Sequence, residues 1–442
     1  MRLSVFGCGY LGAVHAVCMA KLGHDVVAID VLPEQVTELA AGRPPFHEPG
    51  LPELLAETLA TGRLRFTTDA AEAADATVHF VCVGTPQKKG EYAADMTYVR
   101  AAVADLLPAL KPGDVVVGKS TVPVGTAERL LETIQDAEPA AELLWNPEFL
   151  REGLAVQDTL TPDRFVYGAA QRDGVPTAQA TAAMGVLDEV YAAALAAGTP
   201  KIETDLATAQ LVKVAANSFL ATKISFINAM AELCEATGAD VTRLADAIGY
   251  DARIGRRFLN AGLGFGGGCL PKDIRAFMAR AGELGVDQAL TFLREVDSIN
   301  MRRRVRMVDL AREVCGGSIV SRRVAVLGAA FKPNSDDVRD SPALSVAAQM
   351  QLQGAQVTLT DPRAIDNAKK KWPDLQFADT VEEAVRDAEV VVLLTEWQEY
   401  LALDPAALRE HVAVPRMLDG RNCLDPLAWR AAGWTYRALG RP

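Results

Sequence analysis

The chain begins with a short apolar run, Leu3-Ser4-Val5-Phe6, that passes at once into Gly7-Cys8-Gly9-Tyr10-Leu11-Gly12. A strand, a glycine turn and a helix in that order leave few folds open, because each glycine has its own duty. Gly7 permits a tight turn, Gly9 lets the backbone approach a ligand, and Gly12 allows the helix to lie close to the strand. The first N–H groups of such a helix, those around Tyr10 and Leu11, are free of intrahelical partners and favour an anion beyond the strand. A second strand-like run ends in Asp30, 18 residues past Gly12, where an acid meets the hydroxyls of an adenosine ribose. A carboxylate there repels a 2′-phosphate, so the expected cofactor is NAD rather than NADP.

The rest of the first third repeats the pattern. Residues 3–6, 25–29, 78–83 and 115–117 read as buried strands, with amphipathic stretches such as 98–110 between them, and 143–145 and 164–167 read as two more. Such alternation points to parallel strands joined by crossover helices. From Asp205 to Thr237 an Ala-rich stretch runs without Gly or Pro until Gly238, which predicts a long connecting helix. Helical patterns continue through Glu313. Past Gly316-Gly317-Ser318 the strand signals return at 323–327, 356–360, 390–394 and 416–418. The expected fold is α/β, with two Rossmann-like parallel-sheet domains joined by a central helical region. The division expected is residues 1–200 for an NAD-binding domain, 201–315 for the helical part and 316–442 for the second Rossmann-like domain.

Composition excludes several functions. A net charge of −12 argues against broad affinity for nucleic acid or anionic membrane. The seven cysteines are scattered and odd in number, with no CxxC pair, and the five histidines are dispersed without HExxH. Neither a disulfide framework nor a metal site is expected. The apolar runs are too short to span a bilayer, and the N-terminus reads as a strand rather than a signal peptide, so the expected compartment is the cytoplasm. The basic cluster Arg302, Arg303, Arg304 and Arg306 reads as a solvated helix face.

The chemistry concentrates in three segments. In Gly264-Phe265-Gly266-Gly267-Gly268-Cys269-Leu270-Pro271-Lys272-Asp273, four glycines surround one cysteine. That composition suits a loop whose backbone comes close to a ligand and leaves a sulfur accessible, and Lys272 is near enough in sequence to favour the thiolate. Lys213 and Asn217 lie four apart on the expected long helix, so an ammonium and an amide share one face. Asn146-Pro147-Glu148-Phe149-Leu150-Arg151-Glu152-Gly153 follows an apolar run and carries two acids four apart, which suits a general base with a positioning carboxylate. A dinucleotide site supplies hydride acceptance, a cysteine supplies covalent capture and a carboxylate supplies water activation. Oxidation of an alcohol alone needs no nucleophilic cysteine. The cysteine becomes useful when an aldehyde is trapped, oxidised again to a thioester and hydrolysed.

These pieces together resemble the UDP-glucose/GDP-mannose dehydrogenase family, with its UDP-glucose branch the nearer. The resemblance rests on residues 7–12, Val83-Gly84-Thr85-Pro86, Ser120-Thr121-Val122-Pro123-Val124-Gly125-Thr126, 146–153, Lys213 with Asn217, Arg253-Ile254-Gly255, 264–273 and Ala330-Phe331-Lys332 with Arg339, all in family order. It implies that Cys269 forms the thiohemiacetal and the thioester, and that Glu148 activates the water that hydrolyses it. Lys213 and Asn217 would stabilise the oxygen on the reacting carbon, with Asp273 and Thr121 holding a water. Thr85, Thr121, Glu152, Lys272 and Arg339 would join Gly7, Gly9, Tyr10, Leu11, Gly12 and Asp30 at NAD.

The nucleotide sugar, UDP-glucose in preference, would be held by the second Rossmann-like domain and its neighbours. The implied contacts are Phe149, Leu150, Arg151, Glu152, Lys213, Asn217, Phe258, Leu259, Asn260, Ala261, Gly262, Gly266, Lys332 and Arg421. Arg253 would reach the substrate of a neighbouring subunit, which implies a homodimer or higher homo-oligomer through the central helices. Residues 120–126 and Pro162-Asp163-Arg164 lean toward UDP-glucose, whereas 87–91, with Lys88 and Lys89, resembles some GDP-mannose enzymes. Two departures stand out: Gln35 replaces a basic residue common after the ribose-binding acid, and Gly268 replaces a common Ser, a change expected to act on loop flexibility. A two-electron dehydrogenase of hydroxy acids would account for residues 7–12, Asp30 and Lys213, and would leave 264–273 and the second α/β domain without a use.

Overall fold

A computed structural model describes all 442 residues. The chain divides into two compact units, one of residues 1–216 with 275–285 and the other of 217–274 with 286–442.

The first unit is built on an eight-stranded sheet. Arg2–Phe6 lies within it; Asp25–Ile29 and Leu64–Thr67 add to one side, and Val78–Val81, Val115–Gly118, Glu142–Trp145, Phe165–Ala169 and Lys201–Asp205 add in turn to the other. Val78–Val81, Glu142–Trp145 and Phe165–Ala169 are buried along their whole length, as strands covered on both faces must be. Neighbouring strands run parallel except where Phe165–Ala169 meets Glu142–Trp145 antiparallel, so the last two strands point the other way. The strand order reverses between Arg2–Phe6 and Val78–Val81. In open α/β sheets ligands bind outside the carboxyl ends of the strands at such a switch point. Two strands, Leu64–Thr67 and Lys201–Asp205, lie at the sheet edges and are polar enough to escape detection by hydrophobic pattern.

The second unit carries a six-stranded, wholly parallel sheet in the order Gln376–Phe377, Gln356–Thr360, Arg323–Leu327, Val390–Leu393, Arg416–Asp419, Thr435–Ala438. Its core is rich in Val and Ala and takes in Trp397, Trp429 and Trp434. The expected long helix forms as Leu206–Thr237, 32 residues and about 48 Å at ~1.5 Å per residue, and Gly238, at φ 74°, follows its end. No helix is long and apolar enough to cross a membrane.

One expectation fails here. The arginine cluster on the helix Thr291–Val314 is not a solvated face: Arg303 is 0% exposed and Arg304 only 2%. Both are drawn inside by carboxylates from elsewhere in the unit. Arg303 Nη2 donates to Glu235 at 2.9 Å and Arg304 Nη1 to Asp340 at 2.9 Å. A buried guanidinium is tolerated only with such partners.

Candidate functional site

In the first unit the loop after Arg2–Phe6 turns at Gly7, φ 90°, and leads into the helix Tyr10–Lys21. A Cβ on Gly12 would lie 1.7 Å from the carbonyl oxygen of Gly7, whereas one on Gly9 would meet no protein atom within 4 Å. Gly9, the N-cap of that helix, leaves its backbone open to a ligand. Gly12→Ala is therefore expected to cost about 3 kcal/mol or more of stability, because the obstacle is backbone. Gly9→Ala, at the helix N-cap, should cost no more than about 1 kcal/mol and weaken NAD about tenfold or more; thermal unfolding and NAD titration of the two variants read the difference.

Asp30 does more than end its strand. One carboxylate oxygen accepts the Cys8 N–H at 2.6 Å and the other the Leu32 N–H at 3.0 Å, fixing the strand end against the glycine loop. Gln35 donates its side-chain amide to the Cys8 carbonyl, so the residue that replaces a basic one braces the same loop. The free amides at the start of the helix, the open space over Gly9 and the acid at Asp30 fit a dinucleotide.

Glu48 was not signalled by the sequence beyond its place in Phe46-His47-Glu48-Pro49-Gly50. It is 1% exposed and joins the two loops around it. It accepts the N–H groups of Gly153 at 2.6 Å and Ala155 at 2.7 Å, and the Tyr10 hydroxyl as well. Burial first, and the Glu48 carboxylate second, push the Tyr10 hydroxyl well above its ordinary value, so it stays a donor. Thr85 and Thr121 meet on adjacent loops, the Thr85 hydroxyl donating to the Thr121 carbonyl at 2.7 Å, and Ser120 donates to Val83 O at 2.7 Å.

Glu148 sits in the loop after Glu142–Trp145. Its Oε1 accepts the N–H groups of Phe149 at 2.8 Å and Leu150 at 3.1 Å, and its Oε2 lies 3.1 Å from Lys119 Nζ. Lys119 is buried, and it also donates to Asn146 Oδ1 at 2.9 Å and toward the Tyr191 hydroxyl at 3.4 Å. The sequence offered one clue to it: an ammonium directly after the buried strand Val115–Gly118 must find a carboxylate. Lys213, half-buried, stands over the Phe149 ring at 5.3 Å, with the Arg164 guanidinium at 3.9 Å from the same ring. Arg151 is exposed and paired with Asp158 at 2.6 Å, Leu150 packs on the core, and Glu152 is half-buried.

In the second unit Cys269 is exposed and immediately precedes the helix Leu270–Glu283. A helix N-terminus favours an anionic sulfur. The glycines before it have a reason within the protein beside the one the sequence suggested. A Cβ on Gly264 would fall 2.1 Å from Asn300 Oδ1, on Gly266 2.3 Å from the Asp340 carbonyl oxygen, and on Gly267 2.7 Å from the Phe331 ring. At Gly268 it would lie 2.3 Å from the Arg339 guanidinium carbon, so the Arg339 side chain takes the space a Ser would need. Protein rather than ligand crowds these residues, and residues 261–267 are buried. Asn300 clamps Phe265 from both sides, accepting its N–H at 2.7 Å and donating to its carbonyl at 3.0 Å. Asn228 accepts the Gly262 N–H at 2.9 Å. The loop is a fixed platform for the thiol.

Asp273, 2% exposed, is held by Asn217 Nδ2 at 2.7 Å and by Lys272 Nζ at 2.5 Å. Asn217 and Lys213 are one turn apart on Leu206–Thr237, as the spacing required. Arg421 directs its three nitrogens at the carbonyls of Leu394, Gly264 and Phe331, at 2.7, 3.2 and 3.1 Å, which binds the cysteine loop to the second sheet. Lys332 lies over the Phe331 ring at 5.5 Å, and Arg339 pairs with Asp337 at 2.7 Å. In the segment 258–262, Phe258 takes a left-handed φ of 66°, Asn260 accepts from Arg256 at 2.8 Å, and Leu259 and Ala261 are buried. Arg253 is 89% exposed, paired only to its neighbour Asp251 among the ion pairs it makes.

Comparison with known proteins agrees along the whole chain. Residues 1–195 match the NAD binding domain of the UDP-glucose/GDP-mannose dehydrogenase family, 207–302 its central domain and 325–426 its UDP binding domain. A UDP-glucose 6-dehydrogenase of Rhizobium meliloti is 41% identical, with 100% of both chains covered. The UDP-glucose 6-dehydrogenase TuaD of Bacillus subtilis is 39% identical over 100% of this chain and 93% of its own. Among solved structures, a UDP-glucose dehydrogenase from Pyrobaculum islandicum superposes with a TM-score of 0.88 at 38% identity, covering 100% of this chain and 98% of its own. With domains, order and length all shared, the chain belongs to the UDP-glucose/GDP-mannose dehydrogenase family and is an NAD-dependent nucleotide-sugar dehydrogenase.

Proposed function

We propose that the chain oxidises UDP-glucose to UDP-glucuronate, removing four electrons from one carbon in two steps. Cys269 carries the reading: an exposed thiol at a helix N-terminus, on a loop fixed by Asn300, Asn228 and Arg421. The names of the most similar relatives favour UDP-glucose over GDP-mannose, the alternative substrate for the same chemistry.

NAD, when bound, takes up the two electrons removed at each oxidation. Gly7, Gly9, Tyr10, Leu11, Gly12, Asp30, Thr85, Thr121, Glu152, Lys272 and Arg339 hold it. Asp273 and Thr121 hold the water that receives the first proton, a role supported by the Asn217 and Lys272 contacts that orient the Asp273 carboxylate. Lys213 and Asn217 stabilise the oxygen on the reacting carbon. The Cys269 sulfur adds to the aldehyde, and oxidation of that thiohemiacetal leaves a thioester. Glu148 takes a proton from water, the water oxygen attacks the thioester carbonyl, and the C–S bond breaks to return the thiolate. The segments 149–152 and 258–262, with Gly266, Lys332 and Arg421, hold the nucleotide sugar. Residues 1–200, 201–315 and 316–442 then serve as the NAD-binding, dimerising and nucleotide-sugar-binding parts. Seven free cysteines suit a reducing compartment, and the cytoplasm is the inferred one.

The partner we infer is a second copy. Phe219, Phe226 and Leu233 recur every seven residues on Leu206–Thr237 and are 67, 49 and 58% exposed, a stripe that suits a helical seam. Exposed Arg253 is free to reach such a neighbour. Light scattering on Phe226→Glu should find a monomer where the parent is at least a dimer; a dimeric variant refutes the seam.

The reaction itself is tested by NADH formed per UDP-glucose consumed, with GDP-mannose run alongside. Two per UDP-glucose is expected. One would mean release of the aldehyde and no thioester; two from GDP-mannose alone would keep the mechanism and move the substrate.

A further inference from the structure

Lys119 is the group the proposed reaction leaves without a role. Its side chain is 4% exposed, and its three donor directions are all used within the first unit. They go to Glu148 Oε2 at 3.1 Å, Asn146 Oδ1 at 2.9 Å and the Tyr191 hydroxyl at 3.4 Å. Tyr191 closes the ring by donating to the same Asn146 oxygen at 3.0 Å, and Asn146 is anchored by its amide to Val166 O at 3.0 Å. The ammonium is therefore a fixed part. Glu148, in turn, has its Oε1 on two backbone amides and its Oε2 on this ammonium. A cavity of about 30 Å³ opens beside the pair, lined in part by His15, Lys119, Asn146, Glu148 and Tyr191. Both ring nitrogens of His15, 1% exposed, lack a protein partner. The space admits a water that would bridge His15 to the pair.

The charges around Glu148 decide what Lys119 does. Cys18 and His15 come from the helix Tyr10–Lys21, Cys82 from the loop after Val78–Val81, Tyr191 from just past the helix Ala178–Val190, and Arg164 from beside Phe149. Burial pushes Cys82 and Tyr191 up to about 12 and Cys18 higher, and it holds His15 well below its usual value, so all four are neutral near pH 7. Arg164 is stacked on the Phe149 ring. Burial alone would lower Lys119, yet the facing Glu148 carboxylate keeps it above the ordinary lysine value, hence charged.

We propose that Lys119 is a positioning residue for thioester hydrolysis, holding the Glu148 carboxylate in one orientation while Glu148 takes the proton from water. The inference rests on Glu148 being the base of the proposed reaction. It acts on the last step alone, because both oxidations precede hydrolysis.

Lys119→Met, mixed rapidly with NAD and UDP-glucose, separates the possibilities. The expected result is a burst of two NADH per active site followed by turnover ~10-fold or more slower than the parent. Because the slowed step follows both oxidations, KM for each ligand should fall along with kcat, and kcat/KM should stay within about twofold of the parent. A burst and a steady rate that fall together would reduce Lys119 to a structural role and overturn the proposal. Should the variant fold poorly with Glu148 left alone, Lys119→Met with Glu148→Gln removes both charges. That double variant should hydrolyse the thioester at the rate of Glu148→Gln alone; a further tenfold loss overturns the proposal too. One NADH per sugar from the parent enzyme would refute the thioester reading itself, and Lys119 with it, a result distinct from the other two.

Discussion

Cys269→Ala is expected to abolish carboxylate formation by about 10⁴-fold or more while leaving stability and NAD affinity at parental values. The stability half follows from exposure: the thiol buries little, so replacing it by a methyl group removes no packing. The NAD half follows from position, since Cys269 is not among the residues proposed to hold NAD, and the glycine loop, Asp30 and Glu48 belong to the other unit. The activity half follows from chemistry. Without sulfur no thiohemiacetal forms, and an unactivated aldehyde hydrate is a poor substitute for a covalent adduct held in place. A dehydrogenase that stops at two electrons needs no such residue. NADH formation by the variant at more than a tenth of the parental rate, with two NADH still formed per sugar, would remove the thioester from the mechanism. Thermal unfolding alongside guards against a trivial loss.

Much of this was legible in the sequence. Gly7, Gly9, Gly12 and Asp30 are local: a strand, a turn and a helix adjacent in the chain, so spacing alone places them. The Lys213–Asn217 pair needs only a helix, and Leu206–Thr237 supplies it. What pattern did not reveal depends on partners remote in sequence. The glycines of residues 264–268 look like room for a ligand until Asn300, Phe331, Arg339 and Asp340 are seen filling the space. Lys119 looks like one more lysine until it meets Glu148, 29 residues on. Arg303 reads as a surface charge because its neighbours in sequence are charged, whereas its depth is set by Glu235, 68 residues away. The missed edge strands fail for a simpler reason. Lys201–Asp205 pairs with Phe165–Ala169 through its backbone, and its side chains need no apolar signature on an exposed edge.

The depth of Arg303 leads to the second large effect, a contrast between two glutamates three residues apart. Glu235→Gln is expected to cost about 3–5 kcal/mol, and Glu232→Gln no more than about 0.5 kcal/mol, by urea denaturation. Glu232 is 39% exposed and its contacts to Arg302 and Arg303 are long, 3.7 and 3.9 Å, so water screens the loss. Glu235 is 19% exposed and holds Arg303 at 2.9 Å, Arg306 at 2.6 Å and the Gly440 N–H at 3.0 Å. Neutralising it leaves a wholly buried guanidinium with no nearby anion at hydrogen-bond distance. Burial alone would raise the Glu235 carboxyl, but Arg306 and Arg303 together hold it below its ordinary value. Its stabilising share is therefore present above the unfolded carboxylate value of about 4.3 and is lost as pH falls through the lower folded value. The gap between parent and Glu235→Gln should be widest at neutral pH and close as the solution is acidified below about 4. The damage should reach the thiol as well. Arg303 also lies 3.5 Å from the Gly262 carbonyl, and its neighbour Arg304 contacts Phe265 O at 3.3 Å. Loosening that helix unfastens the platform on which Cys269 stands, so Glu235→Gln should lose turnover by a larger factor than it loses NAD affinity, most of whose proposed contacts lie in the first unit. A gap that stays constant with pH would mean the cost lies in packing rather than charge.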